Sequence, residues 1–206
     1  MPYKTFFKLT KEKKERIINA AVNEFSKVPY EQSMISEIIK EAKIPRGSFY
    51  QYFKDKKDLY LHVIDIIKEE KFKYLSETLK NPENLNFIDM IRTLYKDGVE
   101  FAVKNPKYVQ ILDVLLKNKN EFYDSLIKNS IKNAEEIYSS LIEKDKENGL
   151  IKKDIDTSTL AKLTVELTSN ISIEELNLED KEGSYNRMLD RCDKIFKIIE
   201  FGVSRS

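Results

Sequence analysis

Apolar residues recur along this chain at the helical spacing of about 3.6 and nowhere alternate with the period of a strand. Ile17, Ile18, Ala21, Val22 and Phe25 form one such face. Ile35, Ile38, Ile39 and Ala42 form a second, and Leu59, Val63, Ile66, Ile67 and Tyr74 a third. That pattern admits helices and leaves no segment for a sheet. Five Gly and five Pro in 206 residues are too few for a turn-rich β fold, and 34% charged residues suit exposed helical faces. The expected fold is all-α, with about nine helices.

Punctuation sets the boundaries. Thr10 is placed to cap the first helix, and the stretch from Lys27 to Gln32, with Pro29, interrupts it. Ser33 is placed to cap the second. Lys43-Ile44-Pro45 is a short break, and proline at a helix's first position removes an N–H that has no intrahelical partner. The third helix then runs to about Phe53. Asp55, with Asp58 three residues on in the style of a capping box, starts a long helix over about 55–80 that ends near Asn81-Pro82. Further helices are predicted at about 86–104, 106–117, 119–148, 157–176 and 185–203, with breaks at Asn105-Pro106, Asn148-Gly149 and Glu182-Gly183. The organisation expected is a head over residues 1–56 and a larger helical domain over 57–206.

The overall net charge of +1 hides an asymmetry. Residues 1–60 hold 13 Lys/Arg and 8 Asp/Glu, a net of +5, and the remainder holds 23 and 27, a net of −4. A basic end on an acidic chain suits a polyanion, while simple lysine richness is the plainer alternative. A single cysteine, Cys192, excludes an intramolecular disulfide framework. No apolar run approaches the roughly 20 residues of a membrane span, and MPYKTFFKLT lacks a signal-peptide core. The expectation is a soluble cytoplasmic protein.

Ser33 to Phe53 reads as two short helices around a three-residue turn, a helix-turn-helix. In that motif the first turn of the second helix meets base edges while nearby groups hold phosphates. Arg46 offers a fork matching guanine O6 and N7. Gly47 lets the backbone approach the groove, and Ser48 is small and polar. Tyr50 and Tyr52 can reach phosphates, while Phe49 and Phe53 anchor the helix. Lys56 adds a phosphate contact at the start of the next helix. Ser33, Ser36 and Gln51 complete the candidate DNA contacts.

The run from Ser33 to Phe53, followed by Lys54-Asp55-Lys56-Lys57-Asp58-Leu59, resembles the DNA-binding domain of TetR-family transcriptional regulators. Gly47-Ser48-Phe49-Tyr50, then Tyr52-Phe53, then Lys56 and Leu59 carry the likeness, over roughly residues 10–60. The remainder matches in style only: Asn105-Pro106 between two helices, Gly149-Leu150-Ile151 after a long one, and two closing helices. The chain departs from the family's habit at Ile39, where Ala is common, at Lys43, where the turn usually has Gly, and at Pro45, where Ser or Thr is common. A non-glycine in a left-handed turn is strained by about 1 kcal/mol. The resemblance implies a homodimer on a near-palindromic double-stranded operator, most often a repressor released by a small molecule. No cofactor and no metal are expected. By the same resemblance the long helix from Asp55 links an effector domain to the DNA heads.

Two further sites follow from pattern. Met90, Tyr95, Phe101, Tyr108, Leu112, Phe122 and Tyr138 are candidates to line an effector cavity, and their chemistry suits an apolar or aromatic ligand; aromatics at helical spacing are more often plain core. Leu160, Leu167 and Ile171 on one closing helix, with Met188, Cys192, Ile195 and Ile199 on the other, are candidates for a subunit interface; packing within one subunit is the alternative. His62 is the only histidine, which excludes a multi-histidine metal site. The acidic pairs Glu69-Glu70, Glu135-Glu136 and Glu174-Glu175 have no histidine or metal-ligand cluster beside them in the sequence, and no nucleophile elbow or P-loop occurs, so an enzyme is not expected. The alternative to a regulator is a helical protein–protein adaptor that uses Arg46, Tyr50 and Tyr52 as its contact surface.

Overall fold

A computed structural model describes residues 1–80, 85–118, 122, 124–169 and 179–203, and among them there are ten α-helices and no strand. These are α1 (Lys4–Phe7), α2 (Lys11–Lys27), α3 (Ile35–Glu41), α4 (Arg46–Tyr52), α5 (Lys56–Lys80), α6 (Phe87–Lys104), α7 (Pro106–Asn118), α8 (Asn129–Glu147), α9 (Thr157–Ser169) and α10 (Lys181–Val203). A π-helical turn, Asp124–Lys128, leads into α8. The all-α expectation holds. The expected helix from residue 119 is described only from Asp124, and the tail of the helix expected to reach residue 176 lies outside the described residues.

Local chemistry starts several helices where the sequence places them. The Thr10 hydroxyl accepts from the Lys13 N–H at 3.4 Å, and the Asp55 carboxylate from the Asp58 N–H at 2.8 Å. Asp58 accepts from the Lys54 N–H at 3.1 Å, one residue before the N–H that a capping box would use. Two starts differ from expectation. Ser33 is buried and its hydroxyl donates to the Tyr30 carbonyl at 2.7 Å, so it caps nothing. The N-cap of α3 is Met34, whose N–H donates at 2.9 Å to the Glu24 carboxylate of α2. The expected break at Glu182-Gly183 lies instead inside the first turn of α10, where the Asp180 carboxylate accepts from the Gly183 N–H at 2.9 Å. A β-carbon on Gly183 would stand 2.0 Å from that carboxylate, so a larger residue there would make the Asp180 side chain shift from its capping position.

The chain forms two compact units, Met1–Phe72 with Lys107–Asn118, and Lys73–Pro106 with Lys119–Ser206. The first is larger than the expected head of residues 1–56. The reason lies in α5 and α7: Leu59, Val63, Ile64 and Ile67 are fully buried, as are Ile111 and Leu115. Lys107 also donates to the Asn23 side chain at 2.5 Å. Burying a side chain of this size contributes about 1.5–3 kcal/mol, so the first turns of α5 belong to the head they stabilise.

In the second unit α8 lies against α9 and α10 against α6, with α6 also touching α8 and α9. Phe87 meets Tyr138 edge-on at 6.0 Å and Tyr95 meets Phe196 at 5.7 Å. Asp145 of α8 is buried, and its carboxylate accepts from the Phe87 N–H at 2.7 Å. It thereby caps α6 across 58 residues of sequence. A hydrogen bond to a charged acceptor is worth about 1.5–3 kcal/mol, which makes this carboxylate a structural group.

Candidate nucleic-acid interface

The turn between α3 and α4 is built by a left-handed residue. Lys43 has φ 52°, the Ile44 N–H reaches back to the Ile39 carbonyl at 3.1 Å, and the Lys43 N–H reaches Lys40 at 3.2 Å. This is a Schellman ending, with Ile44 buried behind it. Gly149 ends α8 in the same way at φ 74°, its Leu150 N–H bonded to Asp145 at 2.8 Å. The chain thus places glycine in one such ending and lysine in the other. Arg16 of α2 holds the turn from below, its Nε donating to the Ala42 carbonyl at 2.8 Å.

Pro45 is the N-cap of α4 and not its first residue, with the helix opening at Arg46. Phe49 and Phe53 are fully buried, as their role as anchors requires. Arg46, Gly47, Tyr50 and Gln51 are exposed on the opposite side, with Ser48 half-buried between them. The Arg46 guanidinium has no partner among the described residues. Nothing lies within 4 Å of where a Gly47 β-carbon would stand, so the packing of this chain does not require the glycine. Ser36 on α3 is also exposed. Together with Ile39, Arg46, Tyr50 and Lys56 it lines a cleft of about 380 Å³ between α3 and α4.

Three of the expected DNA contacts turn inward. Tyr52 is buried at 6% exposure, its ring 6.4 Å from Phe6 and under the Lys13 ammonium at 5.5 Å, so it is a third anchor. Ser33 spends its hydroxyl on Tyr30, as described above. Lys56 donates to the carbonyls of Tyr30 at 2.6 Å, Ser33 at 2.8 Å and Glu31 at 3.4 Å, and sits 4.4 Å from the Tyr30 ring. All three of its N–H groups are therefore used within the head. Burial pushes its pKa down, opposed by Glu31 and Glu24. It pegs the loop before α3, although it borders the cleft.

Sequence reading missed α1. Four residues carry no periodicity, and the available signal was the Phe6-Phe7 pair in a basic stretch. Phe6 is buried 4.9 Å from Phe53. The Tyr3 N–H donates to the Tyr52 carbonyl at 2.9 Å, and the Thr5 hydroxyl donates to the Gln51 carbonyl. His62 is half-buried among Phe6, Phe7 and Phe53, and burial pushes its pKa down.

The two pattern-based sites separate into their parts. Met90, Tyr95, Phe101, Phe122 and Tyr138 are buried in the second unit, whereas Tyr108 and Leu112 belong to the first and are half-buried. Of the expected interface residues, Leu160, Met188, Cys192 and Ile199 are buried inside the second unit, which corrects their assignment to a subunit surface. Leu167 and Ile195 are half-buried, and Ile171 lies outside the described residues. The apolar side chains that α9 and α10 leave exposed are Leu163 at 45%, Ile198 at 73% and Phe201 at 81%. α10 has two apolar faces, and the one expected to meet a partner fills the core. Among the described residues no group of three His, Cys, Asp or Glu could hold a metal ion.

A short helix anchored by aromatics, entered through a tight turn and carrying a free arginine beside a bare glycine, defines a helix-turn-helix DNA-binding head. Residues 17–63 match the sequence model described as bacterial regulatory proteins, tetR family. A TetR family transcriptional regulator from Chloroflexus aurantiacus is 26% identical, with 100% of both chains covered and a TM-score of 0.80. The ketosteroid transcriptional regulator KstR2 of Mycobacterium tuberculosis shares the fold, at 14% identity over 97% of this chain and 98% of its own, with a TM-score of 0.73. The HTH-type transcriptional regulator YdgC of Bacillus subtilis is 33% identical over 79 residues, which are 38% of this chain and 40% of that relative. Residues 17–63 thus match the DNA-binding region of the TetR family, and over its full length the chain is similar to a TetR family transcriptional regulator.

Proposed function

We propose that the protein is a sequence-specific transcriptional regulator that binds a near-palindromic operator as a homodimer and is released by a small molecule, acting in the cytoplasm as a repressor. The observation that carries this reading is α4 itself, which presents Arg46, Gly47, Tyr50 and Gln51 to solvent while Phe49, Tyr52 and Phe53 hold it down. The unused guanidinium of Arg46 suits bidentate contact with a guanine. The exposed Ile198 and Phe201, three residues apart on α10, supply an apolar stripe for a second copy.

The effector is an apolar or aromatic molecule. Support comes from the ring-rich interior of the second unit, where Met90, Tyr95, Phe101, Phe122 and Tyr138 are buried. α5 is one continuous helix over Lys56–Lys80, pegged to the head by Lys56. A ligand that moves this helix alters the spacing of the two recognition helices, and heads spaced for one DNA turn then lose register. No described helix is long and apolar enough to cross a membrane.

The test is a titration of a fluorescent duplex, recovered by selection from random sequence, with wild-type protein and Arg46→Ala. The variant is expected to bind about 1–3 kcal/mol more weakly and to lose preference at a single base-pair position. Equal affinity and unchanged preference would place the recognition surface elsewhere. A tight protein partner with no affinity for any duplex would favour an adaptor.

A further inference from the structure

We infer that α1 is a second DNA-binding element, a clasp whose Lys4 and Lys8 hold the phosphate backbone beside the base pairs read by α4. The inference rests on the DNA-binding reading above and extends it to a surface outside the helix-turn-helix. It starts from how α1 is held. The Tyr3 N–H and the Thr5 hydroxyl bond to the carbonyls of Tyr52 and Gln51, so the last turn of the recognition helix carries α1 with it. From behind, the Lys14 ammonium reaches the Phe7 carbonyl at 3.5 Å. A short helix does not persist in water unaided, and these bonds with the buried Phe6 fix it in place.

The orientation follows from helical spacing. Phe6 points into the rings of Tyr52 and Phe53. Lys4 and Lys8, two residues to either side of Phe6, share the opposite face, because residues four apart are neighbours on a helix. Lys8 keeps helical backbone as the C-cap, with φ −82° and ψ −6°. Both lysines are exposed, and neither has a partner among the described residues. α1 and α4 therefore rest on one ring cluster, and Gln51, whose carbonyl takes the Thr5 hydroxyl, is itself exposed.

Charge identifies the occupant. Residues 1–14 hold five Lys and one Glu. Two of those lysines are engaged, Lys13 over the Tyr52 ring and Lys14 on Phe7. Lys11 lies 3.9 Å from Glu15, so within residues 1–14 Lys4 and Lys8 are the lysines left unpaired among the described residues. Flexible ammonium groups on a rigid support suit phosphates, which position a protein on the duplex without reading sequence. The strand that passes the C-terminal end of α4 is the one they would hold.

The experiment uses the full chain and a selected duplex in two lengths, one with about ten base pairs of flank on each side and one trimmed to the selected site. Lys4→Ala with Lys8→Ala is expected to weaken binding to the long duplex about tenfold or more. The slope of log affinity against log salt should become shallower by about 1.8 per head, the value for two lost phosphate contacts. Lys4→Arg with Lys8→Arg should restore both, and the thermal midpoint should stay unchanged. On the trimmed duplex, wild type and the alanine variant should differ less than on the long one. Unchanged affinity and slope on the long duplex, while Arg46→Ala still binds weakly, would overturn the clasp and leave the regulator reading intact. Failure of the wild type to bind any duplex would overturn both.

Discussion

Lys43 sits at φ 52°, where the Cβ of an L-residue crowds the following carbonyl at a cost of roughly 1–2 kcal/mol. Glycine removes that crowding and gives back up to about 1 kcal/mol through its freer unfolded chain. Lys43→Gly is therefore expected to stabilise the protein by about 0.5–1 kcal/mol in chemical denaturation; a loss of stability would show that the lysine side chain supports the turn. Gly47 poses the opposite case. Its surroundings are empty, and glycine within a helix is less stable than alanine by about 1 kcal/mol. Gly47→Ala should keep or raise stability while weakening duplex binding at least tenfold. Loss of both together would mean the glycine serves the fold. The departure at Lys43 was legible in the sequence because one turn type needs one backbone conformation. Tyr52 was misread because adjacent tyrosine and phenylalanine at a helix end do not reveal which ring the unseen α1 covers.

Among the elements, α5 shows how a helix start becomes part of another structure. Lys56 ties it to the loop at Tyr30–Ser33, and Tyr60, one turn on, is buried edge-on against Phe25 at 5.0 Å and beside Tyr30 at 4.9 Å. Burial first, then the charge of Glu31, pushes the Tyr60 pKa up to about 12 from the ordinary 10.0. The unfolded chain thus releases this proton before the folded one does. The stability is fully present below the unfolded pKa of 10.0 and is lost as pH rises from there toward about 12. Tyr60→Phe should make the fall in stability across that window shallower, measured as the denaturant midpoint at successive pH values. An identical fall would mean that Tyr60 ionises as easily in the fold as outside it. Helix spans and near-neighbour caps at Thr10 and Asp55 were readable because their partners lie three residues away. The caps supplied by Glu24 and Asp145 were not, since their partners lie 10 and 58 residues off. The peg at Lys56 escaped for the same reason, its acceptors lying 23 to 26 residues earlier.

At the scale of the whole molecule, the chain combines a basic N-terminal segment with an acidic remainder, so long-range attraction to a duplex favours approach by the head. The apolar periodicity of α10 announced two faces but could not say which turns inward. Met188, Cys192, Phe196, Ile199 and Val203 fill the core, and Ile198 and Phe201 are left outside. A homodimer through that outer stripe presents two recognition helices, and a two-fold protein reads a two-fold site. Selection of bound sequences from a random duplex library, performed with the unliganded full chain, tests this most directly. The expected result is enrichment of a near-palindrome whose half-sites lie one DNA turn, or slightly more, apart. Recovery of no enriched sequence, or of a single unrepeated half-site, would contradict it.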